Sequence, residues 1–232
     1  MLNFDGTPAC FGVIAMRRSG HHPIIRWIAG HYQDTTFVND FGEEGCGTPR
    51  ELKDGEFGVP GTYHFADEGT GDCHITNYED FLVEEGLRAA TGKIVLVVRD
   101  PYNCFASRLN ASFNITNAAN DRAIELWLNH SSFISDPRVY PILYNRWFID
   151  EKYRKKISQE LCGKPYPARH LDRVSPFGMW SSFDGNCFDG QASKMEVLTR
   201  WRSCLSDQDF RRILSHPEII RLARDIFGMQ LC

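Results

Sequence analysis

Six consecutive residues near the middle of the chain, Lys93, Ile94, Val95, Leu96, Val97 and Val98, form a β-branched apolar run with no polar alternation. Alternation marks a strand with one wet face; its absence marks a strand covered on both faces, as in a parallel sheet flanked by helices. A chain holding such a strand has to return between parallel neighbours through right-handed β-α-β crossovers. The run ends at Arg99, Asp100 and Pro101. Proline suits the first turn of a helix and aspartate its N-cap, so a helix through Phe105 and Ser107 should follow directly. In sheets of this kind ligands bind beyond the carboxyl ends of the strands, which is where Arg99 stands.

The remaining periodicity supports the same class. Residues 10–16 form a second apolar run, and Ile24, Ile25, Trp27 and Ile28 recur at helical spacing after an intervening Arg17, Arg18, Ser19 and Gly20. Further strands are predicted over 35–38, 74–78 and 139–144, and helices over 81–90, 121–133, 150–161, 194–205, 207–214 and 217–227. The expected fold is therefore a single α/β domain spanning residues 1–232. It should hold a central parallel sheet of about five strands with helices on both faces, as in P-loop nucleotide kinases. Residues 41–73 stand apart, with eight glycines and eight acidic residues against Arg50 and Lys53. They read as a Gly-rich acidic loop or lid, the first candidate for substrate contacts.

Charge restricts the function. The 26 basic and 30 acidic residues give a net charge of -4, which removes a global electrostatic case for nucleic acid or an anionic membrane. No apolar run approaches the ~20 residues of a membrane span, and the N-terminal residues lack the pattern of a signal peptide. A cytoplasmic protein is expected, with the Asn-x-Ser/Thr triplets at Asn110, Asn114 and Asn129 unmodified. The eight cysteines show no C-x-x-C spacing and read as reduced thiols. The eight histidines show no H-E-x-x-H spacing, so no metal site follows from the sequence.

Two segments carry the chemistry. Arg17, Arg18, Ser19, Gly20, His21 and His22 lie between a strand and a helix, where backbone N–H groups and the helix dipole bind anions. The Walker pattern is absent, and with it the lysine and the metal-holding hydroxyl of an ATP-Mg²⁺ site. The second segment places the Arg99 guanidinium after a buried strand and the Ser107 hydroxyl on the second turn of the next helix, a pair able to grip one phosphate. Either segment alone reads equally well as an ordinary turn or a capped helix with surface arginines. Two such loops on one sheet favour a bound anion.

Together these segments resemble the donor-binding loops of sulfotransferases that use 3′-phosphoadenosine 5′-phosphosulfate, and the likeness spans most of the chain in order. Arg17 to His22 are similar to the family's 5′-phosphosulfate loop, and Arg99 with Ser107 to its 3′-phosphate pair. Arg18 stands where cytosolic members have lysine and carbohydrate-modifying members usually have arginine. His21 and His22 replace two threonines, Pro23 replaces an aromatic residue, and the late Arg-Lys-Gly loop is missing. In its place Ser181 and Ser182, beside Trp180 and Phe183, are candidates for nucleotide contacts; core packing explains the two aromatics equally well.

The resemblance implies transfer of a sulfuryl group to a hydroxyl, or an amine, of a glycan or small metabolite, leaving adenosine 3′,5′-bisphosphate. No metal is required, because arginines and loop amides stabilise the charge on the leaving phosphate. A general base is needed, and the candidates are Glu79, His22, His74 and, more remotely, His64. Glu79 ranks first because it ends a strand on the same sheet edge as Arg18 and Arg99, whereas His74 begins that strand. Helix capping is the alternative role for Glu79. The acidic surplus over 41–73 disfavours a polyanionic acceptor. A P-loop kinase, or a nucleotide-binding protein without catalysis, are the rival readings.

Overall fold

A computed structural model describes residues 8–39, 62–66, 72–111, 121–165, 171–174, 181 and 183–229. Its centre is a six-stranded sheet in the order β3-β2-β4-β1-β5-β6. These strands are β1 (Ala9–Ala15), β2 (Asp34–Val38), β3 (Thr62–Ala66), β4 (Cys73–Glu79), β5 (Lys93–Val98) and β6 (Tyr140–Leu143). Five of them run parallel, and β3 joins β2 antiparallel at one edge. The expected class, one α/β domain around a parallel sheet, is thus the one observed. The strand β3 corrects the expectation that nothing regular forms within 41–73. Its threonine and aromatic residues are strong strand formers, and β2 offers them a free edge.

Helices cover both faces. Phe11, Val13, Ala15, Val95 and Val97 point to one side, where they pack with Ile24, Ile25, Trp27 and Ile28 of α1 (His21–Ala29). Ile14, Leu96 and Val98 point to the other, against Val83 and Leu87 of α2 (Val83–Ala89). The alternating destinations of Val95, Leu96 and Val97, all fully buried, are what a run apolar on both faces requires. Burial of each such side chain contributes about 1.5–3 kcal/mol. Gly86 lets α2 approach the sheet, since a Cβ there would sit 2.6 Å from the Ile14 side chain.

A third cluster lies beyond β5, where Tyr102 and Phe105 of α3 (Pro101–Leu109) meet Trp127 of α4 (Asp121–Ser132). Phe210 of α7 (Gln208–Ser215) and Ile219 of α8 (Pro217–Phe227) close it. The predicted helix over 150–161 is preceded by α5 (Tyr144–Ile149), and its own span divides into α6 (Glu151–Ile157) and one π turn, Ser158–Cys162. Asp150 separates α5 from α6 by capping Tyr153 N–H. The helix predicted over 194–205 does not form; the segment contains only short 3₁₀ turns at Ala192–Lys194 and Arg200–Cys204. The carbonyls of Val197 and Leu198 accept from Arg99 Nη2 (2.5 Å) and Asn103 Nδ2 (2.9 Å), so tertiary donors replace the i+4 amides a helix needs. Among the described residues no helix is long and apolar enough to cross a membrane.

Candidate functional site

At the end of β1 the chain turns within four residues, Ser19 N–H donating to Met16 O at 3.0 Å. Arg18 takes φ 69° and Gly20 φ 81°. Among the described residues only two non-glycines have positive φ, Arg18 and Asp80, and both lie here, at the ends of β1 and β4. Left-handed backbone is costly for residues with a Cβ and persists where the surroundings enforce it, often at functional sites. The enforcement is visible. Arg17 N–H donates to Asp80 Oδ1 (2.9 Å), Arg108 Nη1 donates to Arg17 O (3.3 Å), and Arg99 Nη1 donates to Arg18 O (3.2 Å). Because the Arg17 carbonyl is turned to Arg108, the trans peptide turns the Arg18 N–H the opposite way.

Gly20 is the N-cap of α1 and supplies no side-chain acceptor, so the first amides of the helix are left uncapped by a side chain, an arrangement that can receive an anion. Pro23 sits in the first turn, where a missing N–H costs nothing. The Tyr144 ring packs directly beneath Gly20, and an added Cβ would lie 2.3 Å from it. Gly20→Ala is therefore expected to destabilise the protein by about 2–4 kcal/mol, combining left-handed strain with overpacking. Urea unfolding measures this, and an unchanged midpoint would contradict the Tyr144 contact.

The second loop meets the first. Arg99 is 4% exposed, its Cζ lies 4.9 Å from the centre of the Tyr144 ring, and its Nη groups hold the carbonyls of Arg18 and Val197. Its Nε is buried with no hydrogen-bond partner among the described residues. Ser107 is buried on the second turn of α3. Asp100 is the predicted N-cap, accepting from Asn103 N–H (2.8 Å) and from Asn145 Nδ2 (2.9 Å), which commits its carboxylate to structure.

Glu79 lies at the carboxyl end of β4 with its side chain 7% exposed. Its Oε2 accepts from Arg17 Nε at 3.0 Å, and its Oε1 is in direct hydrogen-bond contact with His21 Nε2 and 3.6 Å from His22 Nε2. His21 Nδ1 faces Ser19 Oγ at 3.3 Å. His22 Nε2 lies 3.0 Å from Asn39 Oδ1, which also accepts from Asn77 Nδ2. The ligand atoms of His21, His22 and Glu79 all lie within 4.8 Å of one another, a grouping that no sequence spacing announced. His74 is exposed near the start of β4, beside Cys10 in register, roughly 16 Å of strand from Glu79. His64 lies on β3 opposite Thr36.

Burial and then the charge of His21 push the His22 imidazolium down to about 3. His22 is thus neutral over the physiological range and a weak proton acceptor. Burial also lowers His130, whose Nε2–H donates to Phe81 O at 2.8 Å. Both shifts are downward, so their contribution is fully present above the ordinary value of ~6.5 and declines as the unfolded chain takes up protons below it. Lowering the pH from 7.5 to 5 should cost about 2 kcal/mol through His22 alone. His22→Gln should remove that part of the decline in urea unfolding; an unaltered pH slope would contradict it.

Late in the chain, Ser181 Oγ donates to Asp184 Oδ2 and accepts from the amides of Phe183 and Asp184, a local turn. Ser182 and Trp180, both named as candidates from the sequence, lie outside the described residues. Arg200 and Arg202, charged residues beside Trp201 in the span predicted as a helix over 194–205, read from the sequence as a solvated face; Arg200 is instead 9% exposed, paired with Asp184 and 5.1 Å from the Phe183 ring centre. Burial lowers its pKa, Asp184 opposes that, and the charge of Arg99 lowers it further. Burial likewise lowers Arg18, with Glu79 opposing and Arg108 and Arg17 adding to the decrease. Arg17, Arg18, Arg99, Arg108 and Arg200 thus gather around the ends of β1, β4 and β5. Glu79, Asp80 and Asp184 answer three of these charges, and the remaining local excess of guanidinium in a chain of net charge -4 suits an anionic ligand.

The chain matches no protein-family model and no curated protein. Among solved structures, a crystal structure of mouse sulfotransferase SULT7A1 complexed with PAP is similar at a TM-score of 0.48 and 15% identity, covering 93% of this chain and 84% of that one. A likeness this remote leaves the function to the chemistry of the site.

Proposed function

We propose that this protein transfers a sulfuryl group from 3′-phosphoadenosine 5′-phosphosulfate to a hydroxyl or amine acceptor. The observation that supports the reading is the bond from Arg99 Nη1 to Arg18 O, which brings the turn after β1 against the turn after β5, beside a buried carboxylate. The residues fit such a donor. Arg99 Nε is a buried cationic N–H with no partner among the described residues, and the first amides of α1 have no side-chain cap. The donor supplies an activated sulfuryl group whose departure leaves charge on a phosphate. Arg18 and the loop amides stabilise that charge, Arg99 and Ser107 orient the 3′-phosphate, and Glu79 takes the acceptor's proton. Orientation by His21 and Arg17 fixes where the Glu79 carboxylate points. His22, held neutral, and the distant His74 serve this step less well.

The acidic surplus of residues 41–73 favours a neutral or cationic acceptor such as a glycan or a small hydroxylated metabolite. Calorimetry tests donor recognition. The wild type should bind adenosine 3′,5′-bisphosphate at least ~10-fold more tightly than adenosine 5′-phosphate, since charge-assisted bonds to the extra phosphate are worth about 1.5–3 kcal/mol each. Arg99→Lys should erase most of the difference, because an ammonium keeps the charge and loses the fork. Arg99→Ala is less informative, as it removes the buried charge as well as both donors to the carbonyls of Arg18 and Val197. Equal affinity for the two nucleotides would sink the assignment.

A further inference from the structure

We propose that His21, His22 and Glu79 form a site for one divalent transition-metal ion of the zinc class, and that filling it switches off the transfer proposed above. The second half rests on that reading; the first does not. Two imidazoles and one carboxylate are a common donor set for such ions, and here their ligand atoms lie within 4.8 Å of one another. Around an ion with bonds of ~2.0–2.2 Å, tetrahedral ligand atoms stand about 3.4 Å apart; the 3.6 Å between His22 Nε2 and Glu79 Oε1 is close to that, and the spread of up to 4.8 Å within the group has to close on binding. The contact between His21 and Glu79 is a direct hydrogen bond without metal, and it lengthens as an ion takes the place of the shared proton.

The surroundings orient these donors as an outer shell does. Arg17 Nε holds Glu79 Oε2, which aims Oε1 at the imidazoles. Ser19 Oγ faces His21 Nδ1, and with the proton there Nε2 presents its lone pair. Asn39 Oδ1 accepts from His22 Nε2–H at 3.0 Å, so an ion would displace that proton as well, with the same oxygen able to serve as a fourth, neutral donor. The neighbouring guanidinium groups select the ion. Arg17 is bonded to Glu79, and the charge of Arg18 is felt at His22, so the cluster is no sink for hard cations held by negative charge. Affinity has to come from imidazole nitrogen, which favours Zn²⁺ or Co²⁺ over Mg²⁺ or Ca²⁺. With Oε1 coordinated, Glu79 has lost the lone pair it offers the acceptor's proton.

Cobalt titration of the full chain reads the site without any activity assay. One Co²⁺ should bind, with the visible d–d bands of a tetrahedral nitrogen and oxygen site, and Zn²⁺ should displace it. His22→Gln and Glu79→Gln should each weaken binding at least tenfold while circular dichroism and the thermal midpoint report a folded protein. No stoichiometric binding, or binding unaffected in both folded variants, overturns the site and leaves the cluster as a hydrogen-bond network that positions the loop. In the transfer assay Zn²⁺ should inhibit the wild type near its binding constant, and His22→Gln should need at least tenfold more. Binding without inhibition overturns the switch. Failure of adenosine 3′,5′-bisphosphate to bind would remove the transferase reading and the switch with it, while the cobalt spectra still decide the metal site.

Discussion

Glu79→Gln is expected to keep donor affinity and thermal stability while cutting turnover by the ~10²–10⁴ that general-base removal costs. The structure makes this substitution a clean one. The amide oxygen of glutamine replaces Oε2 as acceptor for Arg17 Nε, and the amide N–H group faces His21 Nε2, whose lone pair accepts it when Ser19 Oγ takes the Nδ1 proton. The contacts survive and the basic lone pair does not. If Glu79 only positioned the loop, the same variant would be stable and close to fully active. Two features favour the base role over helix capping: α2 begins four residues later, and its capping box is supplied by Glu85, which accepts from Leu82 N–H at 2.9 Å. His22 would inherit the role only with a conjugate acid near the ordinary ~6.5, whereas burial and His21 hold it at about 3. A turnover profile with an acidic limb near ~6.5 would therefore contradict the assignment to Glu79.

Arg18→Gly should lower kcat by ~10²–10³, the cost of removing one preorganised donor from developing charge, with a smaller change in donor KM. Glycine is the informative replacement because Arg18 holds φ 69°. The left-handed backbone is free for glycine, so relief of strain offsets the extra chain entropy and stability should stay within about 1 kcal/mol of wild type. A fall in stability matching the fall in rate would mean that the arginine holds the loop rather than serving the reaction. The same assay in EDTA should show undiminished turnover. Loss of activity restored by Mg²⁺ would favour a P-loop kinase.

The placement of Arg99 and Arg18 beyond the ends of two strands is legible in the sequence for a simple reason. Each follows an apolar run that has only one way to be buried, and in a parallel sheet both ends then lie on the same edge. Local rules carried Asp100 as an N-cap, Pro217 as a helix start and the end of that helix at Phe227. They also placed Glu79 and His74 at opposite ends of one strand, as the register of β4 against β1 shows.

What local rules missed depends on partners distant in sequence. Val197 and Leu198 look helical until Arg99 and Asn103 claim their carbonyls. Tyr144 reads as the end of a strand until its ring fills the space that only Gly20 leaves open. Arg200 reads as solvated until Asp184 and the Phe183 ring bury it. The grouping of His21, His22 and Glu79 has no signature along the chain, because a carboxylate 58 residues from His21 becomes its neighbour only when β4 pairs with β1. Strand burial and capping are properties of a few adjacent residues, so the architecture, and the sheet edge beyond which Arg18, Glu79 and Arg99 lie, can be read along the chain. Hydrogen-bond partners and the burial of charge are properties of the assembled sheet, and only the tertiary structure decided which groups at that edge are held, neutral or able to act.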